Sequence, residues 1–426
     1  MKKELLLYKI GILILAGFII TTWTISGFLL TAGAKEGNTA AADINSVATG
    51  NNQFALQLYG KLAGEKKNEN LFFSPYSIST ALAMTYAGAR GETEKQMADV
   101  LHFTLPQERL HAAFGSFEKG LNEQGKAGVF ELTVANALWP QKGFKFLDSF
   151  TGLVNKNYSA GLNEVDYVSD TEGARKTINK WIEDKTKNKI KDLIKQGMLD
   201  KMTRMVLTNA IYFKGRWQLE FDKKDTKDLP FHIFASQEKN VPMMTIKKDF
   251  RFADLKDFQI LELGYKGDAL SMILMLPKEV EGIGNLEKSI TSENLDSWLA
   301  KMRKQEVTVS LPRFKNTCEF SLADTLRSRG MTDAFSGNAD FSGMTGNKDL
   351  FISAVVHKAF IEVNEEGTEA AAATGVVMRL TAARQETIFQ ADHPFIFLIK
   401  DNKTNSILFM GRLQDPGKQL FLPGYR

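Results

Sequence analysis

Side chains that could catalyse a reaction are few in this chain of 426 residues, and their spacing matches no catalytic motif. The sequence has no G-x-S-x-G, no H-E-x-x-H, no C-x-x-C and no phosphate-binding P-loop. Its single cysteine, Cys318, could form a nucleophilic dyad with His357, but a lone cysteine is more often a small core residue. The sequence has five histidines, and their spacing is not that of metal ligands: His102, His111, His232, His357 and His393. Together with the missing motifs, this predicts that the protein is not an enzyme and has no metal site and no cofactor.

The most informative segment is residues 365–384, EEGTEAAAATGVVMRLTAAR, because it could adopt two conformations. In an extended strand, alternate side chains point to opposite faces. From Thr368 to Leu380, one face would carry only uncharged side chains, whereas Glu369 and Arg379 would lie on the other. Such a segment could enter a sheet with one face buried. The alternative is an alanine-rich helix or linker, since alanine leads the helix scale.

Strand patterns lie on both sides of this segment. Residues 351–362 alternate as a strand, and residues 392–400 and 406–413 form two apolar runs around a polar turn. A loop of about 20 residues between strands is longer than compact domains usually tolerate, and such loops are usually functional or disordered. We therefore expect this loop to be functional.

Eight blocks of sequence, spread over about residues 50–420, match the motifs of one protein family. NEEGTEAAAAT (364–374) resembles the serpin reactive-centre hinge, and FQADHPFIFLI (389–399) resembles the C-terminal signature. Six further blocks resemble family motifs in the family's order: residues 70–93, 135–146, 178–190, 207–217, 310–315 and 407–416. The resemblance implies a single α+β domain, here 51–426, with about nine helices, three β-sheets and an exposed reactive-centre loop at about 366–388.

Composition agrees with one large domain. The chain is 43% hydrophobic and shows no internal linker or repeat after residue 50. Helical patterns dominate about 52–200, and strand patterns become frequent after Met205. A net charge of +4 is mild and does not argue for nucleic acid or membrane partners. The lysine-rich run from Lys180 to Lys195 is interpreted as a solvated helical face, with a polyanion-binding site as the alternative.

The amino terminus predicts export. Two lysines precede a mostly apolar run from Leu5 to Leu30, which ends in a small-residue pattern that suits signal peptidase. Residues 1–34 are therefore expected to be a signal peptide, or a membrane anchor, since the run reaches bilayer-spanning length. Residues 35–50 are expected to be a flexible leader. The predicted location is extracellular or in the cell envelope, as in secreted or membrane-tethered members of prokaryotic type.

The resemblance implies that the chain inhibits serine endopeptidases as a suicide substrate. The protease cuts the loop and is trapped as an acyl-enzyme while the loop inserts into the central sheet. Inhibitory members have a hinge of small residues, whereas a bulky hinge favours a carrier, chaperone or storage role. This chain offers small residues at Gly367, Thr368 and Ala370 to Ala373. The whole hinge is expected to comprise Glu365, Glu366, Gly367, Thr368, Glu369, Ala370, Ala371, Ala372 and Ala373.

The reactive bond is expected between Thr381 and Ala382, because in inhibitory relatives the cut usually follows the seventeenth residue counted from the hinge glutamate. This bond suits an elastase-like or subtilisin-like protease. Arg379 and Arg384 are alternatives that would suit a trypsin-like target, with poorer trapping. Leu380 would also suit papain-like cysteine proteases. The expected partner is thus a protease, and the expected state is a monomer.

Two polar clusters complete the prediction. By resemblance, the shutter, beneath the central sheet where strands part, comprises Ser74, Ser77, Asn209 and His357. The breach, at the top of the sheet, pairs Glu365 with Arg313 close to Trp217. The family usually carries lysine where this chain has Arg313, and a bidentate guanidinium could serve as well.

Overall fold

Ten α-helices and two β-sheets make up the part of the chain that the computed structural model describes, residues 39–126, 130–158, 161–368 and 386–417. The predicted α+β class is confirmed. The helices are α1 (39–65), α2 (Pro75–Tyr86), α3 (Gly91–Leu101), α4 (Gln107–Lys126), α5 (Asp148–Asn157), α6 (Thr171–Lys185), α7 (Ile283–Ser289), α8 (Ser292–Lys301), α9 (Ala323–Ser328) and α10 (Ser342–Thr345). None of the helices within these described ranges is long and apolar enough to cross a membrane.

Fifteen strands are found in the same ranges. They are β1 (Leu71–Phe73), β2 (Phe130–Pro140), β3 (Gly161–Leu162), β4 (Met205–Arg216), β5 (Lys227–Phe234), β6 (Gln237–Asp254), β7 (Phe258–Gly264), β8 (Leu270–Pro277), β9 (Arg303–Pro312), β10 (Phe314–Ser321), β11 (Ala354–Val363), β12 (Gly367–Thr368), β13 (Ile388–Gln390), β14 (Phe395–Asp401) and β15 (Ile407–Leu413). The two apolar strands predicted after residue 391 are confirmed as β14 and β15, which pair antiparallel.

Helix α1 departs from the prediction of a flexible leader. The chain is helical from residue 39, so that prediction is wrong over residues 39–50. Three consecutive alanines at 40–42 favour helix, Val47 is buried in the core, and Asp43 forms an ion pair with Arg109 of α4. The predicted signal peptide or anchor, 1–34, lies outside the described residues.

The six-stranded sheet is built around β4. Its order is β10-β11-β4-β2-β3, and the short strand β12 also pairs with β4. Alternate side chains of β4 point into different cores: Leu207 and Ile211 join the larger core cluster, whereas Val206 and Ala210 join a smaller one beside α6. Burial on both faces explains why β4 reads as a nearly continuous apolar run.

The nine-stranded sheet has the order β1-β15-β14-β8-β7-β6-β9-β13, with β5 pairing with β6. The long strand β6 pairs with β5 over its first part, with β9 from Met243 to Phe252, and with β7 at its end. The described residues therefore form two sheets where three were predicted, because the long strand β6 joins β5, β7 and β9 into one sheet.

The lysine-rich run after α6 differs from the predicted helical face. Helix α6 ends at Lys185, and the chain then turns through Lys187 and Asn188, which both have positive φ. The Thr186 hydroxyl donates to Ile182 O at 2.8 Å and accepts from Ile190 N at 3.2 Å, which closes the helix end. The prediction of a helical face is therefore wrong beyond residue 185.

Candidate functional site

The predicted hinge begins with a tight turn at the end of β11. Asn364 N donates to Gly367 O at 2.9 Å, and Gly367 N donates to Asn364 O at 3.2 Å, so the chain reverses across Glu365 and Glu366. Gly367 has φ +148°, and a Cβ there would lie 2.1 Å from Gly215 O. Only glycine therefore fits at this close approach of two backbones.

After the turn, β12 runs antiparallel to β4. Gly367 pairs with Arg216 and Thr368 with Gly215. The Thr368 side chain is fully buried, and its hydroxyl lies 3.0 Å from the hydroxyl of Tyr265. Gly367 and Thr368, the first residue of the predicted inserting strand, thus lie against β4. The rest of the hinge and the candidate reactive residues lie outside the described residues: Glu369, Ala370, Ala371, Ala372, Ala373, Arg379, Thr381, Ala382 and Arg384.

Below this turn, β11 and β4 are direct neighbours. They run parallel, and their register extends from Ala354 opposite Val206 to Phe360 opposite Tyr212. We call this pairing the seam, and we call its carboxyl-terminal end, which lies next to the turn, its upper end. Because β12 is antiparallel to β4 at the upper end of the seam, a longer segment continuing from Thr368 would have to separate β11 from β4 to form hydrogen bonds with both.

The breach residues hold the turn. The buried carboxylate of Glu365 accepts from Arg313 Nε at 2.6 Å, and Arg313 Nη2 approaches the same oxygen. The predicted bidentate fork is therefore replaced by two donors converging on one oxygen. Burial by itself raises the pKa of Glu365, but the hydrogen bonds from Arg313 and from the Thr226 hydroxyl outweigh it and hold this pKa below its usual value.

Trp217 fastens the backbone of the same turn. Its backbone N–H donates to Glu366 O at 2.9 Å, and its indole Nε1 donates to Asn364 O at 3.0 Å. The indole stacks on Tyr265 with ring centroids 4.7 Å apart. Tyr265 thus touches both Trp217 and Thr368. The sequence analysis did not single out Tyr265, because its strand pattern is ordinary and its partners lie about 50 to 100 positions away.

The four predicted shutter residues lie in one buried hydrogen-bonded cluster. Ser74 caps α2 by accepting from Ser77 N, and its hydroxyl donates to Leu408 O at 2.6 Å. Asn209 of β4 donates to the Ser77 hydroxyl, and its carbonyl oxygen meets Nδ1 of His357 on β11. Asn209 and His357 are opposite each other in the seam. The cluster therefore joins the two strands from the α2 side.

Asn136 on β2 is a fifth member that the sequence analysis missed. Its amide oxygen accepts from Asn209 and, at 3.2 Å, from the Ser77 hydroxyl, while its Nδ2 donates to Ser77 O. A local signal existed, since Asn136 is a polar residue within the apolar run of β2. Its buried amide thereby extends the cluster from β4 to the next strand.

His357 is held in one neutral form. Its Nε2 accepts from the backbone N–H of Ser74 at 3.1 Å, so Nδ1 must carry the proton that points to Asn209. Complete burial lowers the pKa of His357 to about 3. His111 is buried as well: it contacts the Tyr158 hydroxyl at 2.6 Å, and burial lowers its pKa to about 4. If His357 were protonated, its Nε2 would carry a hydrogen and would face the Ser74 N–H, so two donors would point at each other.

These two histidines predict a loss of stability in mild acid. Both folded-state pKa values lie below the ordinary value of about 6.5, so the unfolded chain binds more protons as the pH falls. The stabilisation is fully present above pH ~6.5, and each histidine should lower the free energy of unfolding by about 2 kcal/mol between pH 7 and pH 5. Urea unfolding at the two pH values measures this. His357→Asn should remove about half of the difference, and an unchanged difference would show that His357 is not held neutral.

Cys318 does not form the dyad considered above. It is buried on β10, and its Sγ contacts Asn70 O at 3.6 Å and the Asn316 side-chain oxygen at 3.5 Å. Burial raises the pKa of the thiol to about 12, so it stays protonated. The nucleophilic thiolate is therefore disfavoured.

Comparison with known proteins identifies the fold family. The family profile described as Serpin (serine protease inhibitor) matches residues 49–416. The bovine leukocyte elastase inhibitor is 43% identical over 381 residues, covering 88% of this chain and 100% of that protein. Serpin B6 of Macaca fascicularis is 45% identical over 378 residues, covering 87% of this chain and 99% of its own length.

A solved structure agrees. The crystal structure of uncleaved ovalbumin superposes with a TM-score of 0.79 at 32% sequence identity, covering 87% of this chain and all of that one. On the family profile, the relatives and the fold together, this chain belongs to the serpin family.

Proposed function

We propose that this protein is a serine-protease inhibitor that works as a suicide substrate. A target protease cuts the reactive-centre loop, remains attached to it as an acyl-enzyme, and is trapped when the loop enters the seam between β11 and β4. Membership of a family whose profile is described as serine protease inhibitor supports the general function. The trapping mechanism is inferred from the geometry of the hinge.

The single observation that carries this mechanism is the position of Gly367 and Thr368. These residues pair with β4 at the upper end of the seam, and the Thr368 side chain is already buried. The next residues are Glu369 and four alanines. The alanines add little bulk to a strand that follows Thr368 into the sheet. Every second residue from Thr368 to Leu380 is uncharged, so the buried face of the new strand would carry no charge.

The proposed reaction follows from this arrangement. The protease serine attacks the carbonyl carbon of Thr381, the bond to Ala382 breaks, and the new amine leaves with the proton that the protease histidine transfers. Thr381 is then esterified to the protease. Inserting about 14 residues at about 3.3 Å each carries this ester roughly 45 Å along the sheet. Hydrolysis of the ester requires a precisely arranged protease active site, so distortion of that site would leave the ester intact.

The choice of target rests on two supports. A Thr381–Ala382 bond suits a protease with a small, apolar-tolerant pocket, and a 43% identical relative is named leukocyte elastase inhibitor. We therefore propose an elastase-like target, with subtilisin-like proteases next. Cleavage after Arg379 or Arg384 by a trypsin-like protease would give a loop two residues short or three residues long, and trapping would be poor.

Incubation with elastase, subtilisin and trypsin tests the proposal. We expect a complex with elastase that survives boiling in detergent, together with a released peptide that begins at Ala382 on intact-mass analysis. Elastase whose active-site serine has been blocked is the control and should form no such complex, because no ester can form.

Other outcomes of this experiment would favour a different reactive bond, a different class of target or a non-inhibitory role. A peptide beginning at Leu380 or Gln385 would move the reactive bond to Arg379 or Arg384. If a papain-like protease is added to the panel and is the one protease that forms a complex, the target class would change. Cleaved protein without any stable complex would contradict trapping and favour a carrier, chaperone or storage role.

A further inference from the structure

A lysine that follows α6 lies across the upper end of the seam. Lys189 Nζ is 5.6 Å from the ring centroid of Tyr212 on β4 and 5.9 Å from that of Phe360 on β11. The two rings are themselves 6.1 Å apart and belong to the last residue pair of the β11–β4 register. One ammonium therefore contacts both strands that must separate.

The backbone around Lys189 is firmly placed. Its N–H donates to Thr186 O at 2.9 Å, directly after the two positive-φ residues that turn the chain. The next residue, Ile190, is fully buried in the smaller core cluster beside α6. The main chain is therefore held on both sides of Lys189. Since this fixes the position of its Cα, the lysine side chain starts close to the two rings.

A second contact ties the same turn to β11. Lys358, two residues before Phe360 and on the same face of the strand, donates through Nζ to Lys191 O at 2.8 Å. Lys358 also pairs with Glu319 on β10 at 3.1 Å. The turn at residues 186–191 is thus linked to β11 by Lys358 and to both strands by Lys189.

We propose that Lys189 is a latch that slows separation of β11 from β4 and so helps to set the rate of loop insertion. The proposal rests on the function proposed above and adds a positioning residue to it. Neighbouring strands lie about 4.8 Å apart, so a strand inserted between them would move the two rings from 6.1 Å to about 11 Å apart. At its present height above the sheet, the ammonium would then lie about 7 Å from each ring, beyond the ~6 Å reach of a cation–π contact.

The latch is weak enough to be opened during inhibition. Cation–π contacts at exposed sites contribute about 0.5–1 kcal/mol, which corresponds to a factor of about two to five in a rate if the contact is lost in the transition state. Such a factor is enough to shift the outcome when insertion competes with hydrolysis of the acyl-enzyme. Lys189 would thereby tune the fraction of proteases that are trapped.

The test measures strand entry without a protease. A synthetic acetylated peptide with the sequence of residues 368–381, TEAAAATGVVMRLT, is added to the full chain, and its uptake is followed by native gels and intact mass. Lys189→Gln should take up the peptide about two to five times faster than the wild type. Lys189→Arg should restore the wild-type rate, because arginine keeps the cation over the rings.

Lys185→Gln is the matched control. Lys185 also lies over an aromatic ring, 5.7 Å from the centroid of Trp181, but both residues belong to α6, and the Trp181 ring packs edge-to-face on Trp139 of β2. This variant has the same charge change and should behave as the wild type. Equal acceleration by Lys185→Gln and Lys189→Gln would show a general charge effect and overturn the latch, as would an unchanged rate for Lys189→Gln.

The experiment also separates the two proposals. Peptide uptake that responds to Lys189, without any trapped protease, would support the latch and contradict only the inhibitory function. Failure of wild type and variants alike to take up the peptide would overturn the latch, because no strand would then enter the seam. Trapping of elastase in that case would leave the inhibitory function standing.

Discussion

Thr368→Arg is expected to convert the inhibitor into a substrate, lowering the fraction of protease trapped by more than tenfold. Thr368 is fully buried in β12, its hydroxyl contacts Tyr265, and its backbone pairs with Gly215. An arginine here would bury a guanidinium without a counter-charge, which is unfavourable by several kcal/mol. The loop would still be cut, since the proposed reactive bond is 13 residues away in sequence.

The measurement compares two quantities for one protease. Gel densitometry gives the fraction in the detergent-stable complex, and intact mass gives the fraction of inhibitor that has been cut and released. Thr368→Ser is the control, because serine keeps a hydroxyl for Tyr265 without added bulk, and it should trap as the wild type does. Trapping by Thr368→Arg at a level close to wild type would contradict our account of the hinge.

Cleavage of the reactive-centre loop is expected to raise the melting temperature of the protein by more than 10 °C. In the intact chain, β11 and β4 pair with each other, and the loop is tethered at both ends. A cut frees one end, so about 14 residues can become a central strand with hydrogen bonds on both sides. At about 0.5–1.5 kcal/mol for each bond, the gain is on the order of 10 kcal/mol.

The size of the shift follows from the size of the domain. Unfolding entropy near 60 °C is about 2 cal/mol/K per residue, or roughly 0.8 kcal/mol/K here, so a gain of ~10 kcal/mol corresponds to a rise of more than about 10 °C. Calorimetry before and after limited trypsin digestion measures it, because trypsin is expected to cut the loop with poor trapping. Thr368→Arg, cut in the same way, should gain much less. A wild-type protein that gains no heat resistance would favour the non-inhibitory alternative.

Local patterns in the sequence determined much of the fold and part of the site. The apolar runs identify β14 and β15, the alternating run at residues 351–362 identifies β11, and the small residues after Glu366 mark the hinge. Ordered resemblance to the family supplied the shutter and breach residues, and each group lies together in the structure. These features could be found because strand periodicity, side-chain size and motif order are properties of neighbouring residues.

Three features required the tertiary structure. Asn136 joins the shutter and Tyr265 contacts Thr368 only because β2, β4, β7 and β8 bring distant residues together. Lys189 was interpreted as part of a solvated face, yet it lies over rings from two different strands. Residues 39–50 appeared to be a leader because their composition is small and polar, but packing of Val47 and pairing of Asp43 make them helical. In each case the deciding interaction links residues at least 20 positions apart, and its energy depends on burial and geometry that no local pattern encodes.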